Sequence, residues 1–141
     1  MTTATQVRVP TTFRSLLGIG AVAGALAAFC TTMVAAIANA AGVSLEVGGE
    51  QIPVAAFAFW TLAGSAIGIV LAQLLRDRRR FVVVTLAITG LSLIPAVALA
   101  DDNGTKVILV GCHVVAAAIL IPALGSRLTT AETRSQAGLQ G

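Results

Sequence analysis

His113 is the only histidine in the 141-residue chain, and it sits in "GCHVVAAAILIP", Gly111–Pro122, a run otherwise suited to lipid. An imidazole there could ligate a metal or haem, relay a proton, or donate a hydrogen bond to a broken helix. Its candidate companions are few. Met33 could give a second haem ligand, while Thr61 and Ser92 carry hydroxyls in similarly apolar surroundings. The two cysteines, Cys30 and Cys112, are not spaced as CxxC, so neither a thioredoxin-like couple nor a zinc site is indicated. Isolated thiols of this kind behave as small hydrophobes. No Ser/His/Asp set can be assembled, because every Asp and Glu falls outside the apolar runs. No glycine loop precedes a soluble helix to cradle phosphate. The expectation is a non-enzymatic chain with no catalytic residues, no metal site and no resident cofactor.

The elements that would position His113 follow from where charge is missing. The chain is 57% hydrophobic and only 11% charged, against about 25% charged for a soluble domain. Its apolar excess is Ala, Val, Leu and Ile, with one Trp and no Tyr. Four stretches lack Asp, Glu, Lys and Arg altogether: Ser15–Ala41, Val54–Leu75, Phe81–Ala100 and Val107–Gly125. Crossing the hydrocarbon core takes about 20 residues. Backbone in lipid must bond to itself, so these spans should be helices. Alternating segments of the kind a β-barrel needs are not seen. The fold class is therefore an all-α membrane protein with four transmembrane helices in an up-down-up-down bundle over residues 15–125.

Charge sets the orientation. Arg8 and Arg14 precede the first span, Arg76, Arg78, Arg79 and Arg80 separate the second and third, and Arg127 and Arg134 follow the fourth. The opposite side holds Lys106 and the acids Glu46, Glu50, Asp101 and Asp102. Eight of nine basic residues thus share one side, which predicts cytoplasmic termini (1–14 and a polar, disordered tail within 126–141) in the plasma membrane. The arginine turn should anchor to anionic inner-leaflet lipid, and no nucleic-acid patch is indicated. "ANA" at Ala38–Ala40 resembles a signal-peptide cleavage site, but the apolar run before it exceeds a signal core of about 7–15 residues. A lipoprotein signal at "LAAFC" is disfavoured by bulky Phe29 before Cys30.

The loops and small residues suggest the packing. In "GVSLEVGGEQIP", Gly42–Pro53, alternating Val43, Leu45 and Val47 precede a Gly48-Gly49 turn signal, so a small β-hairpin over the bundle mouth competes with an irregular loop. In "DDNGTK", Asn103-Gly104 reads as a tight turn. Gly20-x3-Gly24 on the first span and Gly64-x3-Gly68 on the second suggest a close helix contact or a dimer face.

Counting depth at 1.5 Å per residue puts His113 roughly 9 Å below the outer end of its span. Met33, Thr61 and Ser92 fall near that level, which predicts a polar layer in the outer third. Pro95 cannot donate to the carbonyl of Leu91. His113 is therefore expected to donate to Leu91 C=O or to Ser92. A haem or metal role with Met33, and a proton-relay role, stand as alternatives.

"GVSLEV" after the first span, "SLIP" at Ser92–Pro95 and "HVVAAAILIPAL" at His113–Leu124 resemble a family of small actinobacterial four-helix membrane proteins catalogued as a domain of unknown function. The resemblance spans about residues 15–125 and implies the four-helix topology and plasma-membrane location. Two functional classes follow from the residues. One is an accessory or scaffold subunit in a homo-oligomer or larger membrane complex. The other is a small-molecule or lipid carrier or sensor using the layer around His113. A haem or metal-binding redox subunit is the remote third. A small multidrug transporter would carry a Glu in its first span, and a vitamin K epoxide reductase-like enzyme a CxxC pair; both are missing.

Overall fold

The computed structural model describes residues 13–128. The expected tail after Leu128, with Arg134, and the segment carrying Arg8 lie outside the described residues. Four helices alternate in direction: α1 over Phe13–Ala40, α2 over Val54–Leu75, α3 over Arg78–Ala98 and α4 over Asn103–Gly125. All four are long and apolar enough to cross a membrane.

α1 is the central helix. Its buried residues, Leu16, Gly20, Ala23, Gly24, Ala27, Ala28, Thr31, Ala35 and Ala38, recur at three- and four-residue spacing. Leu16 apart, they form one stripe of small side chains that lets α2 and α4 pack close against it. α3 is peripheral. It leans chiefly on α4 and buries only Phe81, Thr85 and Ala96. Val83, Leu86, Leu91, Ile94 and Val97 stay exposed on it, as suits a helix whose solvent is lipid.

Apolar clusters close both ends of the bundle. At the arginine end Leu16, Ile69, Ala72, Phe81 and Leu124 meet. At the other end Ala35, Ala38, Phe57 and Cys112 surround Leu45. Leu45 is fully buried although its φ of 53° is left-handed. A non-glycine residue there is strained by about 1–3 kcal/mol, and fully burying a leucine side chain returns about 1.5–3 kcal/mol.

Leu45 leads into the expected hairpin, β1 (Glu46–Val47) and β2 (Glu50–Gln51), paired Glu46 to Gln51 and Val47 to Glu50. Gly48 and Gly49 both take positive φ, 62° and 80°, as a two-residue hairpin turn requires. The strands are shorter than the alternation from Val43 suggests. Ala100 bridges Val47, and the Gly48 N–H donates to Leu99 O at 3.0 Å, so the α3–α4 connection adds a third edge.

Besides α1, which already includes Phe13 and Arg14 ahead of the expected Ser15, two helix starts differ from the sequence reading. α4 begins at Asn103, not Val107, and Asn103-Gly104 opens the helix instead of forming a turn. Asp102 caps it, with Oδ1 accepting from Thr105 N at 2.9 Å. α3 begins at Arg78, not Phe81, because Asp77 Oδ1 accepts from Arg80 N at 2.9 Å.

The glycine contact is also displaced by one position. A methyl group on Gly24 would sit 2.9 Å from Ser65 Cβ, and one on Gly20 would collide with Ile69. Gly64 faces open space, and Gly68 meets Leu124 of α4 at 3.4 Å. The α1 glycines therefore receive the residues next to the α2 glycines, one helical step of 100° around.

Candidate functional site

The polar groups between the helices gather where α1, α2 and α4 meet. Thr31 Oγ1 lies 2.9 Å from Thr61 Oγ1 across α1 and α2 and donates to Ala28 O of its own helix at 3.2 Å. Ser65 Oγ donates to Thr61 O at 2.7 Å. From α4, Cys112 Sγ donates to Thr31 O at 3.7 Å. These side chains are small and tie the helices together while satisfying one another. Thr32 breaks the pattern: its Oγ1 is shut from solvent and has no hydrogen-bond partner.

The expected layer of His113, Ser92, Thr61 and Met33 is not assembled. Of the four, only Thr61 joins the seam. Met33 is 43% exposed, on the outside of α1. Ser92 Oγ donates to Thr89 O at 2.7 Å. His113 Nδ1 pairs with Leu109 O of its own helix at 2.8 Å. A carbonyl only accepts, so Nδ1 carries the proton in that contact. His113 thus donates as expected, but one turn back along α4, not to Leu91 or Ser92. Pro95 lies within a continuous α3, and Leu91, whose carbonyl it leaves free, is exposed. Depth counting matches heights along the helices but leaves the direction around each axis undetermined. Among the described residues no group of three or more His, Cys, Asp and Glu is placed to hold a metal.

Sequence reasoning missed Thr31, the centre of the seam. Its signal was present: Gly20, Gly24, Ala27, Thr31, Ala35 and Ala38 share one small-residue stripe, and Thr31 alone carries a hydroxyl on it.

A second polar arrangement straps the hairpin down. Asp102 Oδ2 accepts from Ser44 Oγ at 2.7 Å and from Thr105 Oγ1 at 2.6 Å. Asp101 Oδ2 accepts from Gly49 N at 2.8 Å. The bonds from Thr105 and Ser44 push the Asp102 carboxyl down to about 2. At the opposite end Arg76, Arg78, Arg79 and Arg80 are all exposed around the α2–α3 turn.

A model described as a family of unknown function (DUF6069) matches residues 11–130. The chain belongs to this family. No curated protein and no solved structure matches it. The DUF6069 match runs over all four helices, so the threonine seam, the aspartate strap and the arginine turn all lie within the family's span.

Proposed function

We propose that this DUF6069 member is a multi-pass plasma-membrane protein, with both termini and the arginine turn in the cytoplasm, that serves as a non-enzymatic accessory or scaffold subunit. The observation that carries this reading is the contrast between its packed interior and its apolar outer face. The α1–α2–α4 interior is filled by small residues and mutually bonded hydroxyls. The outer face is apolar on every helix, with Phe29, Trp60, Leu91 and Val107 all exposed. On α3, Gly90, Leu93, Ile94, Val97 and Ala98 line an open apolar groove of about 420 Å³, and Gly90 and Gly111 face open space. Small residues let membrane helices approach closely, so this flank suits a further membrane chain.

The orientation is supported by Arg14, Arg76, Arg78, Arg79 and Arg80 at one end and Glu46, Glu50, Asp101 and Asp102 at the other. Anionic lipid is the natural contact of the arginine end. The carrier or sensor reading calls for a polar path to His113; the groove is apolar and His113 is not among its lining residues. An actinobacterial origin remains part of this proposal and rests on the motif resemblance alone.

Extraction of the full chain in mild detergent, with mass by light scattering and mass spectrometry of co-migrating chains, tests the reading. Copies or additional chains in fixed ratio are expected. A monomer with no protein partner, or one that copurifies with haem absorbance, would overturn it.

A further inference from the structure

Four arginines fall within five consecutive residues, Arg76–Arg80, interrupted only by Asp77. The positive-inside rule explains charge at this end, and lysine would satisfy it equally. Yet the chain has eight arginines and a single lysine, and that lysine, Lys106, lies at the opposite end. Arginine differs from lysine in its rigid planar fork, which matches phosphate oxygens two at a time.

The turn fixes one of these forks and the backbone that carries the others. Only Arg76 and Asp77 separate α2 from α3. Arg76 is left-handed, at φ 49°, with its N–H on Ala72 O at 3.2 Å. Arg76 Nε donates to Gln73 O at 3.2 Å, which fixes the side chain and spares its terminal amino groups. Asp77, the one acid in the turn, accepts from Arg80 N. Arg78, Arg79 and Arg80 form the first turn of α3 and are exposed. Phe81, next in sequence and 1% exposed, pins that turn to the bundle. The other acids of the described residues, Glu46, Glu50, Asp101 and Asp102, sit at the hairpin end.

We propose that the α2–α3 turn is a binding site for the phosphate headgroup of an anionic phospholipid, gripped by guanidinium forks and not by charge alone. The proposal rests on the reading that this end lies at the cytoplasmic membrane surface, and it names the lipid's docking point. The site has no enclosing pocket, so selectivity comes from the number and shape of the donors.

The test uses the purified full chain in detergent, titrated with phosphatidylglycerol, phosphatidylcholine and inorganic phosphate, with retention read by native mass spectrometry. Wild type should retain phosphatidylglycerol over phosphatidylcholine. The variant R76Q/R78Q/R79Q/R80Q, which removes both the charge and the forks, should lose that preference. R76K/R78K/R79K/R80K keeps the charge, and circular dichroism should show it folded; it should nevertheless lose most of the preference. A lysine variant equal to wild type, or a wild type without preference, would overturn the proposal. Displacement by equimolar inorganic phosphate would overturn its lipid assignment. Reagent access to a cysteine at the turn in intact cells tests the orientation separately, so a wrong orientation and a missing headgroup site give different results.

Discussion

Gly24→Ala should separate the two helices at the centre of the bundle. The added methyl would lie 2.9 Å from both Ser65 Cβ and Ser65 Oγ. Ordinary carbon contacts lie at about 3.5–4.0 Å, so a gap of roughly 0.6–1.1 Å must open. Ser65 Cβ is fixed to its backbone and cannot rotate away, so α1 and α2 themselves must move. Overpacking of this kind costs about 1–3 kcal/mol. Alanine's better helix propensity gives little offset, because separated helices in lipid or micelles remain helical. The unfolding equilibrium should therefore shift roughly 5- to 150-fold. Titration of the purified protein with sodium dodecyl sulfate in mixed micelles, followed by circular dichroism or tryptophan fluorescence, reads the shift. Gly18→Ala and Gly64→Ala are matched controls, since nothing lies within 4 Å of either added methyl. If Gly24→Ala proves as stable as those controls, the α1–α2 crossing described here is wrong.

Three further outcomes are expected. Thr31→Val removes the link to Thr61 and should destabilise by about 0.6 kcal/mol, the average for membrane hydrogen bonds; Thr32→Val deletes an unpartnered hydroxyl and should be neutral or stabilising. A Thr31/Thr61 double-mutant cycle with no coupling would contradict the bond between them. His113→Leu removes a bond within a single helix, so its detergent stability should change by less than about 1 kcal/mol; a larger loss would show that His113 ties two helices together. The Asp102 carboxyl is depressed from 3.8 to about 2, so its support for the strap is complete above pH 4 and fades as pH falls toward 2. Proteolysis of the Gly42–Pro53 loop should accelerate over that window in wild type, whereas Asp102→Asn should be cleaved faster at neutral pH and show less dependence over the window; a wild-type rate unchanged from pH 4 to 2 would refute this.

The legible part of this fold is the part that hydropathy and turn chemistry dictate. The absence of charge from four stretches located all four helices, and Gly48-Gly49 located the hairpin turn. What escaped was azimuth and capping. Asp102 and Asp77 begin their helices earlier than the apolar runs do, because a cap depends on one side-chain oxygen and not on hydropathy. The Gly64/Gly68 spacing is real, but it does not meet the α1 glycines: Gly64 faces open space and Gly68 meets Leu124 of α4, since a one-residue offset rotates a helix face by about 100°. For the candidate site, Thr61 does meet a polar partner on another helix, but that partner is Thr31 and not the expected layer around His113. His113 and Ser92 bond within their own helices and Met33 is exposed, because the count along a helix says nothing of direction around its axis. Thr31 was legible only as the one hydroxyl on the stripe of Gly20, Gly24, Ala27, Ala35 and Ala38.

The central claim is a four-span bundle with the hairpin outside and the arginine turn inside. It is tested most directly by a membrane-impermeant maleimide applied to intact cells making Glu50→Cys or Arg78→Cys. Cys30 and Cys112 lie within α1 and α4, and the unsubstituted chain sets their background. Glu50→Cys should label on intact cells, and Arg78→Cys only after lysis. Labelling of Arg78→Cys on intact cells, or of neither position before lysis, would contradict it.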